Sequence, residues 1–273
     1  MPPQQGSLLP DREARLRALG FRFGINGPHA ARTMMLAELR LLLRHTAIDA
    51  HPDEYRHAVV DANVLEKPTA NARILTLRHL TALYGLDPTT PLFRALRRLW
   101  GASEEAQPML ALAVALARDP LLRASQPFVL AQHVGHVVPP VAMQQCLEQA
   151  CPGRFSAASL RSFAQNVSGT WTVAGLLTGH HPKVRSRPPL YPESLTMLLF
   201  LGYLGGRTGH RLFRSEWTAL VAETPEELER MAFSASHRGL LSFMSAGDVK
   251  DVRFPGYLTP HEEQLRQETL DGI

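Results

Sequence analysis

The chain has 273 residues, 45% of them hydrophobic, and a formal net charge of +4, a length that buries a large core and accommodates two or three small domains. Its two cysteines, Cys146 and Cys151, argue against a disulfide framework, and its longest apolar run, residues 109–117, is too short to cross a bilayer. No basic-then-apolar leader opens it, so the expected setting is cytoplasmic, with no membrane partner.

Residues 1–20 are expected as a disordered N-terminal tail, and residues 21–135 as an N-terminal helical domain. Pro28, following Asn26-Gly27, suits a first helical position, and the pattern predicts a helix from there to about Arg44 with Met35, Leu39 and Leu42 on one face. A second helix is predicted over 54–65. A third starts at Thr69, turns Ile74, Leu77 and Leu80 or Thr81 inward and stops at Gly85. Helices near 91–100, 106–118 and 121–134 complete an all-helical bundle.

Residues 136–190 read as a helix-turn-helix-like unit with a basic loop. A helix from Pro140 to Ala150 presents Val141, Leu147 and Ala150, and Cys151-Pro-Gly-Arg154 makes a turn. Ser156 is a good N-cap for a long helix. There Leu160, Phe163, Ala164, Val167, Trp171 and Ala174 recur at helical period until Gly175. Leu176-Leu177 starts a short strand, and 180–189 is a basic loop where a wing would lie.

Residues 191–258 read as a winged-helix unit. Pro192 opens a helix to about Leu204, and Ser215 caps a short one bearing Trp217, Leu220 and Val221. Thr224-Pro-Glu-Glu227 is a capping box, and its helix turns Leu228, Met231, Ala232 and Ala235 inward before Gly239. Strand formers at 240–244 and 249–254 flank Ser245-Ala-Gly-Asp248 as a hairpin. Residues 259–273 form an acidic C-terminal tail. The expected fold is mostly α: a helical bundle with winged helix-turn-helix units and short β-hairpin wings.

Charge points to a polyanionic partner. Between Arg154 and Arg214 lie eight Lys and Arg but one acid, Glu193, so the rest of the chain is slightly acidic. The alternative is a solvated, Arg-rich face. A reading helix aims its N-terminal turns at base edges or phosphates. The helix after Thr224 opens with Glu226, Glu227 and Glu229, which repel phosphate, so it reads as scaffolding or a protein contact. The helix after Ser156 carries no acid and offers Ser159, Arg161, Ser162, Gln165 and Asn166, residue types that pair with bases or phosphate. Arg154 precedes it, and Lys183, Arg185 and Arg187 follow it. A second acid-free helix start holds Lys67, Thr69, Asn71 and Arg73 and continues to Arg78; its alternative is an ordinary capped helix. Arg207, Arg211 and Arg214, with His210, form a third cluster.

Catalytic signatures are missing. The sequence contains no GxxxxGK[ST] loop, HExxH or GxSxG. His133-Val-Gly-His136 is expected on one helical face, and His180-His181 lies in the basic loop, but neither has a carboxylate or cysteine cluster beside it. No metal, no cofactor and no enzymatic activity are expected.

The stretch Asp61-Ala-Asn-Val-Leu-Glu-Lys-Pro-Thr-Ala-Asn-Ala-Arg-Ile-Leu-Thr-Leu-Arg-His-Leu80 resembles the BrxA family of bacteriophage-exclusion (BREX) defence systems, which shows a similar N-x-L-x-K-x-T…R pattern. Gly24-Ile25, the apolar 109–117 helix, Ser156…Gly175-Leu176-Leu177 and Val252-Arg253-Phe254-Pro255 agree with it, over about residues 20–258. The chain departs from the family by extra length across 178–215, and only Lys67, Thr69 and Arg73 match as single positions. The resemblance implies a mostly helical, non-enzymatic protein that binds double-stranded DNA beside other phage-defence proteins. The charge reading reaches a nucleic-acid partner independently. A protein–protein adaptor and an RNA-binding helical protein remain the alternatives, and the oligomeric state is left open.

Overall fold

In the computed structural model, which describes residues 8–221, 224–247 and 249–268, apolar periodicity becomes helices around one continuous cluster of buried side chains from Leu16 to Tyr257. Two small antiparallel sheets complete the mostly helical fold. Part of the expected disordered tail is ordered: α1 (Leu8–Ala18) places Leu16 in the core, and Leu19 follows it there. Residues 1–7 of that tail lie outside the described residues.

The helix predicted from Pro28 to Arg44 is broken. A 3-10 turn (Pro28–Ala30) is separated from α2 (Leu36–Arg44) by Met35, whose φ of 52° is left-handed. Long-range ties on His29 and Met34 hold the chain off the helical path, against its local periodicity. The predicted 54–65 helix also stops early. It starts at α3 (Pro52–Arg56), widens into a π turn (His57–Asp61) and ends before Asn63 and Glu66, both left-handed.

α4 (Ala70–Tyr84) is capped by Thr69, whose hydroxyl accepts the Ala72 N–H at 3.1 Å. It buries Thr76, Leu80, Leu83 and Tyr84, while Ile74, predicted inward, is 54% exposed. α5 (Pro91–Trp100) and α6 (Gln107–Arg118) follow, and every residue of α6 from Met109 to Ala117 is buried. α7 (Pro120–Ala124) and α8 (Gln126–Ala131) replace the single helix predicted over 121–134. Ser125 makes the break: buried between them, its hydroxyl donates to Leu122 O and accepts the Trp171 indole N–H. His133 and His136 consequently sit in a turn rather than on a helical face.

Next come β1 (Val137–Val138), α9 (Pro140–Ala150), α10 (Ala157–Val173), β2 (Leu177–Thr178) and β3 (Lys183–Arg185). The strands form one antiparallel sheet in the order β1-β3-β2. α9 buries Met143 and Leu147 and leaves Val141 and Ala150 outside, shifting its predicted inward face. α10 packs against α9 and buries Phe163, Ala164, Val167 and Trp171, as its stripe requires.

α11 (Pro192–Leu204) is buried on nearly all sides and lies against α6. The 3-10 turns Gly209–Arg214 and Thr218–Leu220 lead to α12 (Pro225–His237). Its capping box forms as predicted: Thr224 Oγ1 accepts the Glu227 N–H, and the Glu227 carboxylate accepts the Thr224 N–H. β4 (Ser242–Ala246) and β5 (Val249–Arg253) make the predicted hairpin, and α13 (Pro260–Glu268) covers most of the acidic tail.

Candidate nucleic-acid interface

Ser156 sets the start of α10: its hydroxyl accepts the Ser159 N–H at 3.2 Å, leaving the rest of the first turn open to solvent. Ser159, Arg161, Ser162 and Gln165 are all exposed on this helix, which has no acid to oppose an anion at its N-terminus. Between α10, the start of α9 and the β2–β3 loop lies a cleft of about 390 Å³. Val138, Pro140 and Ala164 give it an apolar floor, while Arg161, Lys183, His180 and His181 supply positive or protonatable groups. No carboxylate is among its described lining residues. Arg161 makes no ion pair with any described residue, so its charge is directed to solvent.

Strand alternation disposes of part of the predicted basic wing. Lys183 pairs with Val138, and Arg185 with Leu177; Val138 and Leu177 are buried, so both cations point to the inner face of the sheet. Lys183 stays at the cleft edge, its ammonium donating to Gly179 O at 2.9 Å. Arg185 is 3% exposed. It donates to Val129 O at 3.2 Å, Leu176 O at 3.1 Å and Ser186 O, and burial lowers its pKa. It is a bolt for backbone carbonyls, not a phosphate ligand. Arg187, beyond the strand, is exposed.

Two further predicted contacts are spent internally. Asn166 donates to His29 O at 3.2 Å. Arg154 donates to Ile25 O and Asn26 Oδ1, with its guanidinium 5.1 Å from the Phe155 ring centroid. They tie the 25–29 segment to the middle of α10 and to the turn before it.

The second cluster is likewise mostly structural. Asn63 closes a loop by accepting the Lys67 N–H at 2.9 Å and donating to Lys67 O at 3.2 Å. Lys67 pairs with Glu38 at 3.0 Å, Thr69 caps α4, and Arg73 donates to Val60 O at 3.1 Å. The N-x-L-x-K-x-T…R spacing therefore builds a corner, with Leu65 buried under it. Asn71 is exposed, as is Arg78 farther along the helix. In the third cluster Arg207 pairs with Glu216, while Arg211 and Arg214 are exposed and unpaired among the described residues.

The only acid of the 154–214 segment, Glu193, is fully buried and paired with Arg238 at 2.5 Å, so it does not offset the surface cations. Sequence reading missed Arg32, which lies in an acid-free run from residue 14 to 37. That run was the available signal. Buried beneath it, His29, Asp119 and Thr170 are linked by 2.8 Å contacts, a nucleophile–base–carboxylate order. All three have zero exposure, so no substrate reaches the hydroxyl. No protein-family model and no curated protein matches this chain.

Proposed function

We propose that the chain is a non-enzymatic, double-stranded DNA-binding accessory protein of a BREX-like phage-defence system, with α10 and the β2–β3 hairpin as its DNA-facing surface. The observation that carries this reading is the cleft between them, where Arg161 on an acid-free helix and Lys183 at the start of β3 stand without a lining carboxylate. The order α8-β1-α9-α10-β2-β3 with sheet order β1-β3-β2 supports a winged-helix reading at 136–190. In it α10 is the reading helix and β2–β3 the wing. The defence setting draws on the motif resemblance alone.

Binding of this kind is driven by counterion release and falls steeply with salt, by about 0.9 in the log–log slope for each phosphate neutralised. Anisotropy of a labelled duplex across a salt series tests it. Wild type is expected to bind, and Arg161→Glu with Lys183→Glu to abolish binding without unfolding the protein. An unaffected double variant rejects this surface, and preference for RNA over duplex DNA in competition rejects the DNA assignment.

One feature favours a protein adaptor as the second reading. Phe233, Met244 and Val249 expose apolar surface on α12 and the β4–β5 hairpin, remote in sequence from the cleft. Stable co-purification with a neighbour-encoded protein and no duplex binding is the outcome that selects it.

A further inference from the structure

The two acid-free helices singled out in the sequence, α4 and α10, are joined in space by the segment between the Pro28 turn and Met34. Asn166 and Thr170 of α10 bind His29 and Met34, and Tyr84 of α4 donates to Met34 O. Gly169, which lines the cleft, faces Thr33: a Cβ built on it would lie 3.5 Å from Thr33 Cγ2. Arg32, the next residue back along the chain, is exposed, and among the described residues the only acceptor of its guanidinium is the adjacent Ala31 O at 3.0 Å. On α4, Asn71, Ile74, Arg78 and Thr81 are exposed at helical spacing and mark its outward face. Arg78 has no ion-pair partner among the described residues.

We propose that Arg32 and Arg78, flanking His79, form a second phosphate-binding subsite that continues the α10 surface, so that one DNA duplex contacts both. This rests on the DNA-binding reading and extends it to residues outside the cleft. Two acids around the 29–38 segment are already committed. Glu38 pairs with Lys67 at 3.0 Å, and Asp119 is buried against His29. The His79 imidazole reports the local field: its pKa is lowered, first by burial, then by Arg32 and Arg78. No carboxylate contributes to that shift. Like charges held together without a counter-ion repel, and an arriving anion relieves the repulsion. Both guanidinium groups stand on open surface rather than in an enclosed pocket, which suits the phosphates of a polymer better than a small free anion.

The test compares wild type, Arg32→Ala/Arg78→Ala and Arg161→Ala/Lys183→Ala by duplex anisotropy between 50 and 200 mM salt. Losing two phosphate contacts lowers the log–log slope by about 1.8, so the Arg32/Arg78 variant is expected to be about tenfold less salt-sensitive over that range. Arg32→Lys/Arg78→Lys retains the charges and is expected to restore the slope. Unchanged affinity and slope in Arg32→Ala/Arg78→Ala, with Arg161→Ala/Lys183→Ala weakened, overturns the subsite and leaves the DNA reading intact. Weaker binding at an unchanged slope marks a structural effect and also overturns it. A wild-type protein that binds no duplex removes both proposals.

Discussion

Asp119 accepts two hydrogen bonds from His29 on one oxygen: from the backbone N–H at 2.9 Å and from ring Nδ1 at 2.8 Å, with both side chains fully buried. Its other oxygen accepts the N–H groups of Leu121 and Leu122 and so caps α7. With Nδ1 carrying the proton, His29 Nε2 accepts from the Thr170 hydroxyl, which itself accepts the Met34 N–H at 2.9 Å. One carboxylate thus locks the 27–34 segment between α7 and α10, and that segment carries Arg32.

Removing this carboxylate leaves four donors without an acceptor. Asp119→Ala is expected to lose about 3–5 kcal/mol in urea unfolding, the range for breaking a buried pair. A loss below ~1 kcal/mol contradicts the assigned network.

The same residue sets an acid limit. Burial raises the Asp119 pKa, but the hydrogen bonds and charge of His29, helped by backbone N–H groups, outweigh it and leave the pKa lowered. A folded carboxyl that ionises more readily than the unfolded one stabilises the protein above the unfolded pKa of about 3.9. That contribution disappears as pH falls through the folded value. Urea midpoints from pH 7 to pH 3 are expected to drop more steeply in wild type than in Asp119→Asn.

Gly27 is required by close approach rather than by backbone angle. Its φ of −150° suits any residue, but a Cβ would lie 1.7 Å from Asp119 Oδ1. Gly27→Ala must displace the carboxylate and is expected to lower stability by about 1–3 kcal/mol, as overpacking does. A thermal midpoint equal to wild type rules out the contact.

Arg185 separates charge from structure. Arg185→Ala removes the guanidinium that ties Val129 O, Leu176 O and Ser186 O together, and Arg185→Lys cannot reach them all from one ammonium. Both variants are expected to melt earlier, with the duplex salt slope of the remaining folded protein unchanged. A reduced slope with an unaltered melt makes Arg185 a phosphate ligand after all.

His79 provides a spectroscopic readout. Its lowered pKa means that the unfolded chain takes up the proton first, so stability is present above about pH 6.5 and falls as pH drops toward the folded value. Arg78→Ala removes one repelling charge and is expected to raise the His79 pKa in an NMR titration. No movement places Arg78 too far away to act on it.

Local rules made much of this fold legible. Thr69, Ser156 and Thr224 cap helices by bonding to N–H groups three residues on, so each start is written within four residues of chain. The stripe of α10 and the hairpin of β4 and β5 are equally local. The surplus of cations and the absence of acids along α4 and α10 are likewise facts of composition. Which way those groups point is not local. The register against Val138 and Leu177 turns Lys183 and Arg185 inward, and bonds spanning 90 and 141 positions from His29 break the helix that periodicity favours after Pro28. Arg154 and Asn166 look available until the 25–29 segment lies across them. α4 and α10, far apart along the chain, are bridged only when that segment is pinned between them. Side-chain direction depends on partners brought together by chain folding, whereas a cap or a stripe depends on residues already adjacent.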